Sequence, residues 1–403
     1  MSKQNNHIIL KQKVEIAFEN MNAGMGIQDA IAGIIKERLQ PQMEVLFDEL
    51  ADEEHRIQLD QLEIDCGELS ADNWQQEWVD NAIVKLRAAL LGAHKTKIKN
   101  ENFHQDFFYF LQYGLLPWNS SVKELKNFEE NIVFDSIFFK AFEAAMRDQQ
   151  MAQRLLNQFS EKFTTAFVKA LIQHYEKQVK RLSAFHSLIK QPVIIRPQKE
   201  AVMKAIVYEF SAQAKDKEQT HKAESIDFIK KDEQEISKEI FVNNAGLVLL
   251  HPFLPRLFEN LQLTNKQEWV NDEAQQTALA VTVFLTTGEI ALPEFEMPLN
   301  KIICGLPVST VLEKIIPISV EEQQACDELL AQVIKMWRSL KNTSVPAFRE
   351  TFLQRMGKLS KRDNGWLLQP EQKGVDVLLS SLPWGIGVIK LPWMEEIVFT
   401  EWG

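Results

Sequence analysis

The sequence predicts a mostly helical α+β fold with a small N-terminal β-hairpin and helix unit, a helical middle, and a C-terminal helical domain ending in a short-stranded β unit. Three observations predict it. Period-two alternation of apolar residues occurs within the first 66 residues. Apolar residues recur at every fourth position from Trp74 onward. After Gly365 short runs of β-formers are separated by Gly or Pro. The boundaries fall at 1–95, 96–213, a charged linker over 214–240, and 241–403.

His7–Phe18 alternates, with Ile8, Leu10, Val14 and Ile16 on one side, and reads as a half-buried strand. Ala30–Leu39 reads as a helix that Pro41 interrupts, with Val45, Leu46 and Leu50 on a second short helix. Arg56–Cys66 is strand-like, with a change of phase at Asp60–Gln61 that a β-bulge would produce, and it is expected to pair with residues 7–18. Asn73 and Gln76 can cap the next helix, on which Trp74, Trp78, Ala82, Leu86 and Leu90 share a face.

In the middle, Gly114 reads as a helix stop, and Ser121 with Glu124 as a capping box. Leu155, Phe159, Phe163, Phe167, Leu171 and Tyr175 form a stripe that belongs to a core face. QPVIIRPQ at 191–198 is a break. Residues 212–239 are rich in Lys, Glu, Asp and Gln and read as a solvated linker.

Beyond it, Pro252 and Pro255 split AGLVLLHPFLPRLFENL into a helical turn and a second helix. Asp272 and Gln275 box a helix that ends at Gly288. Pro298 starts a short one that ends at Gly305. Ser319 and Glu322 box a third, with Leu329, Leu330, Val333, Trp337 and Leu340 on one face. A further helix carries Phe348, Phe352 and Met356 and ends at Gly357. Strands are expected at Trp366–Gln369, Val375–Leu379, Val388–Leu391 and Ile397–Trp402. No fixed-period repeat is visible, which argues against a solenoid.

The net charge of −11 argues against a chain built to wrap nucleic acid. The polar start lacks the apolar region of a signal peptide, and no apolar run reaches the ~18 residues of a membrane span. A cytoplasmic protein without membrane insertion is expected. Cys66, Cys304 and Cys326 are odd in number and form no CxxC pair, so free thiols are expected. Motifs for phosphate binding, metal ligation and nucleophilic catalysis are absent: no GxxxxGK[ST], no GxGxxG, no HExxH, no GxSxG. No catalytic residue, cofactor or metal is therefore expected. Glu294 and Glu296, two apart in PEFEMP, read as solvated charges, and Asn300–Lys301 and Asn342–Thr343–Ser344 as helix caps.

The last 60 residues hold Trp366, Trp384, Trp393 and Trp402, punctuated by Gly and Pro. Tryptophan brings a large apolar area and an N–H that needs an acceptor, so this stretch is a packed unit or an interface. The run GWLLQPEQKGVDVLLSSLPWGIGVIKLPWMEEIVFTEW resembles the C-terminal signature of the contractile injection system tape measure family. HRIQLDQLEIDCGELSADNW, VNNAGLVLLHPFLPRLFENL, TTGEIALPEFEMPLNKIICGLP, LKNTS and FRETFLQRMGKL agree with it in order. The resemblance implies a non-enzymatic component of a phage-tail-like particle, present in the inner tube during assembly and helping to set its length. It implies protein partners at the inner tube and at the spike or baseplate, with room for self-association. Trp366, Pro383, Trp384, Gly385, Gly387, Pro392, Trp393 and Trp402 are the interaction residues it points to. A baseplate-proximal adaptor or assembly factor is the second reading, because the chain lacks the uniform heptads of a long rod. An enzyme with a site assembled from dispersed acids is the third, and the failed motif tests weigh against it.

Overall fold

The structure, a computed structural model, describes residues 9, 12–15, 31, 33–50, 55–57, 62–69, 73–92, 95–97, 101–117, 120, 122–145, 149–218, 239–312 and 317–402. The chain forms two compact units, Met1–Asn100 and Glu101–Gly403. Helix and a smaller share of strand give the mostly helical α+β class that the periodicities predict.

In the first unit, helix Trp74–Gly92 buries Trp78, Val79, Ala82, Leu86 and Leu90 against Ile34, Leu39, Met43 and Leu46. The helix around Pro41 is not interrupted. A π-turn at Ile35–Leu39, in which the Gln40 N–H reaches the Ile35 carbonyl, leads directly into helix Gln40–Leu50. Pro41 thus falls in a first α-turn, where a missing N–H costs no bond. Of the strand expected over 56–66, the described residues show β1, His55–Ile57, which pairs antiparallel with β2, Lys95–Lys97. Of the 7–18 stretch only residues 9 and 12–15 are described, and these belong to no ladder. Residues 62–69 are irregular because local bonds compete with extension. The Asp65 carboxylate accepts the Gly67 N–H at 2.9 Å, and Asn81 on the helix donates to the Cys66 carbonyl at 3.2 Å. The phase change at Asp60–Gln61 lies outside the described residues.

The second unit begins with helices Glu101–Tyr113, Leu125–Asn131, Ser136–Ala145, Gln149–Gln158, Glu161–Tyr175 and Arg196–Glu218 around a core of phenylalanine rings. The long apolar stripe is buried throughout but crosses two helices. Ser160 divides them, capping the second by accepting the Phe163 N–H at 3.2 Å, while the Glu129 carboxylate holds Ser160 at 2.6 Å. The cap expected from Ser121 lies outside the described residues. At Leu125 it is the Asn127 side chain that returns to the Glu124 N–H, at 3.0 Å. The helix from Arg196 runs on to Glu218, past the expected start of the linker, and 219–238 lie outside the described residues.

The rest of this unit joins short helices to a five-stranded sheet. Its strands are β3 (Glu239–Val242), then, after a separate two-stranded pair β4 (Thr264–Asn265) and β5 (Glu268–Trp269), β6 (Gly357–Arg362), β7 (Gly365–Pro370), β8 (Val388–Ile389) and β9 (Ile397–Thr400). The order is β3-β6-β7-β9-β8, parallel between β7 and β9 and antiparallel elsewhere. Helix Asp272–Thr287 is capped one residue earlier than expected, by Asn271, whose side chain accepts the Ala274 N–H at 2.8 Å. The box at Ser319 and Glu322 forms and opens helix Val320–Met336. Gly357 does not end a helix. Helix Val345–Phe348 widens into a π-turn at Arg349–Leu353, and Gly357 opens β6 opposite Val242 and Pro370. Val375–Leu379 is not a strand but part of the 3₁₀ helix Gly374–Ser381, because the Asp376 carboxylate turns back to the Lys373 N–H at 2.8 Å. Gly246 makes the tightest joint of the core: a Cβ there would collide with the Phe352 carbonyl.

Candidate interaction site

The four tail tryptophans each donate to an acceptor within the chain. Trp366 on β7 donates to Glu396 at 2.7 Å, with the Lys361 ammonium 4.6 Å from its ring centre. Trp384 donates to the Leu249 carbonyl at 3.0 Å and meets Phe253 edge-on. Trp393 donates to the Ile303 carbonyl at 2.8 Å and lies against Trp269 and Phe258. Trp402 donates to Asp376 at 3.2 Å, beneath the buried Arg355 guanidinium. Trp384 packs on Leu249 and Phe253 and Trp393 on Phe258 and Trp269, whereas Trp366 lies on β7 and Trp402 follows the end of β9. Pro383, Gly385, Gly387 and Pro392 are exposed between these anchors. Val377 and Val388 are 72% and 60% exposed, so the tail keeps an apolar surface after its indoles are satisfied.

A charged cluster is buried around Glu294, which sequence reasoning placed in solvent. Glu294 is 1% exposed. Its Oε1 accepts from Arg154 Nε at 3.1 Å and from Lys301 Nζ at 2.8 Å. The lysine also donates to the Val308 and Thr310 carbonyls, both at 2.7 Å. The guanidinium donates to the carbonyls of Leu111, Gln112 and Ser309. Two cations thus share one carboxylate, and main-chain oxygens hold the excess positive charge. Burial lowers the Lys301 pKa to about 8, against the upward pull of Glu294. Gly114, which ends the first helix with φ +70°, is packed so closely on this cluster that a Cβ would strike Glu294. The cluster ties the phenylalanine-rich helices to the C-terminal sheet region. Glu296 is half-buried and its pKa is raised by burial.

Asn300 and Lys301 are not caps. Asn300 accepts from Asn244 at 2.6 Å and donates to Thr282 at 3.0 Å, all three buried. Ser344 does cap, accepting the Ala347 N–H at 3.3 Å. All three cysteines are free, and burial raises Cys304 and Cys326 to about 12, well away from reactive thiolates. Among the described residues no three His, Cys, Asp or Glu side chains converge as metal ligands, and no helix is long and apolar enough to cross a membrane.

The residues missed by sequence reasoning are Arg154, whose partner lies 140 positions away, and the Asn244–Thr282 pair bridged by Asn300. The available signal was the placing of Glu294, Glu296, Asn300 and Lys301 within a mainly apolar sequence.

No curated protein and no solved structure matches the chain. The sequence model of the family described as "contractile injection system tape measure protein" matches residues 6–196 and 190–402, which is nearly the whole length and includes both the helical middle and the tryptophan tail. The chain belongs to the contractile injection system tape measure protein family.

Proposed function

We propose that the chain sets the length of the inner tube while a phage-tail-like particle assembles. It acts by binding particle proteins rather than by chemistry on a substrate. The observation that carries this reading is the family match along both halves of the chain. The longest described helix, Arg196–Glu218, has 23 residues and so spans about 35 Å. Length is therefore read through protein contacts along a folded chain, not along one helix. The exposed strip around Pro383, Gly385, Gly387 and Pro392, with the half-buried faces of Trp384, Trp393 and Trp402 and the neighbouring Trp366, grips proteins of the inner tube or of the spike and baseplate end. The tryptophans fix the shape of this strip from within, and the Pro and Gly residues present it outward.

Electron microscopy of particles from cells lacking the chain, complemented with the natural sequence or with Pro383→Glu and Pro392→Glu together, tests this. Both prolines are exposed, so the variant should melt at the natural temperature yet yield few particles of normal tube length. Normal particles in cells lacking the chain would overturn the reading.

A further inference from the structure

We propose that a groove at the C-terminal end of helix Val320–Met336 docks an acidic segment of a partner protein. The groove encloses about 730 Å³. Lys335, Arg338 and Lys341 line it, Ile334 and Val345 form its apolar floor, and Thr343 adds a hydroxyl. The three cations follow one another at every third residue, through the last helical turn and the 3₁₀ turn Arg338–Leu340, a spacing that puts them on one edge.

Among the described residues none of the three side chains has a carboxylate or other hydrogen-bonding partner. Several other cations of the same region do. Arg349 pairs with Asp327 at 2.8 Å, Arg355 with Asp376 at 3.0 Å, Lys358 with Glu239 at 3.1 Å and Lys373 with Glu371 at 3.2 Å. The helix macrodipole accounts for Lys335, which sits in the last turn, but its field fades beyond that turn and does not explain Arg338 or Lys341. Three adjacent positive charges left unneutralised on a chain of net charge −11 are the complement of a carboxylate row. The partner chemistry follows. Carboxylates at successive turns or alternate residues meet Lys335, Arg338 and Lys341, with Arg338 able to take one in bidentate fashion. An apolar side chain between them rests on Ile334 and Val345. The inference draws on the proposed function only in taking the partner to be a particle protein. Binding is measured on the purified chain, so its failure and that of tube-length setting are read separately.

The test is fluorescence anisotropy of the full chain with a fluorescein-labelled peptide of repeated Glu-Glu-Leu triplets, against single-stranded oligothymidine of equal charge. The peptide should bind, and more weakly as salt rises. Lys335→Glu, Arg338→Glu and Lys341→Glu together should weaken it by about 10-fold or more. Lys177→Glu, Lys180→Glu and Lys190→Glu, which change the net charge equally at another exposed face, should change it less than about 2-fold. All six side chains are exposed, and unchanged melting temperatures would show that both variants fold. No peptide binding, equal losses in the two variants, or tighter binding of oligothymidine would each overturn the proposal.

Discussion

The helices of residues 101–218 and the sheet region of residues 239–402 belong to one compact unit but hold together differently. The helical core is mainly phenylalanine on phenylalanine. A few buried polar groups accompany the rings, such as Lys199, which donates to Thr164 at 2.8 Å, and Tyr175, which donates to the Phe139 carbonyl at 3.0 Å. Phe138 lies 5.3 Å from Phe108 and from Phe134 and 5.9 Å from Phe107, with no polar atom to satisfy. The sheet region uses tryptophan and buried ions, and each tail indole is aimed at a named acceptor. Phenylalanine contacts tolerate changes of angle, whereas an indole N–H or a shared carboxylate permits one arrangement. The first region gains stability from area, and the second gains a defined surface shape, which is what a protein-binding tail requires.

The largest effect should come where the regions meet. Glu294→Gln leaves Arg154 and Lys301 buried without a counter-charge, and urea unfolding should show a loss of about 3–5 kcal/mol. Phe138→Ala should cost a comparable ~3–5 kcal/mol through its cavity, yet Phe138→Leu less than ~1.5 kcal/mol if the helical core is held by area. Trp384→Phe keeps most of the apolar area but strands the Leu249 carbonyl, and a loss of about 1–3 kcal/mol is expected. A negligible loss there, with a large one for Phe138→Leu, would break the comparison.

Lys301 gives the comparison a pH signature. Its folded pKa of about 8 lies below its ordinary value of 10.5, so the unfolded chain binds the proton more tightly. Between these values this group makes stability rise with pH, and below about 8 the full cost of the buried charge is present. In Lys301→Met, which leaves Glu294 paired with Arg154 alone, that rise should vanish. Melting temperatures of the natural chain and of the variant from pH 7 to 11 would show it as a difference that grows through this window. The smallest effect is local. Ser319→Ala removes one helix cap and should cost about 1 kcal/mol, read by the same urea titration.

What could be read from the sequence follows the range of the forces. The phenylalanine stripe, the stops at Gly114, Gly288 and Gly305 and the Ser319 box depend on neighbours within a turn or two, and each lies where local pattern puts it. The strands β3 and β6 escaped because their pairing spans more than 100 residues. Val375–Leu379 alternates like a strand, but Asp376 curls it into a 3₁₀ turn and points to Arg355 and Trp402. Glu294 read as a solvent charge and Lys301 as part of a helix cap because nothing nearby announces Arg154. The tail tryptophans were legible as a packed unit, while the acceptors that orient them were not.

The most direct test of the account is tube length against chain length. Segments of graded size inserted between the two compact units, at the Asn100–Glu101 junction, lengthen the chain without altering the contacts described within either unit. Particles assembled with each variant would be measured by electron microscopy. A chain that sets tube length predicts a distribution whose mean shifts steadily with the inserted length. Particles of unchanged length across the whole series would contradict it.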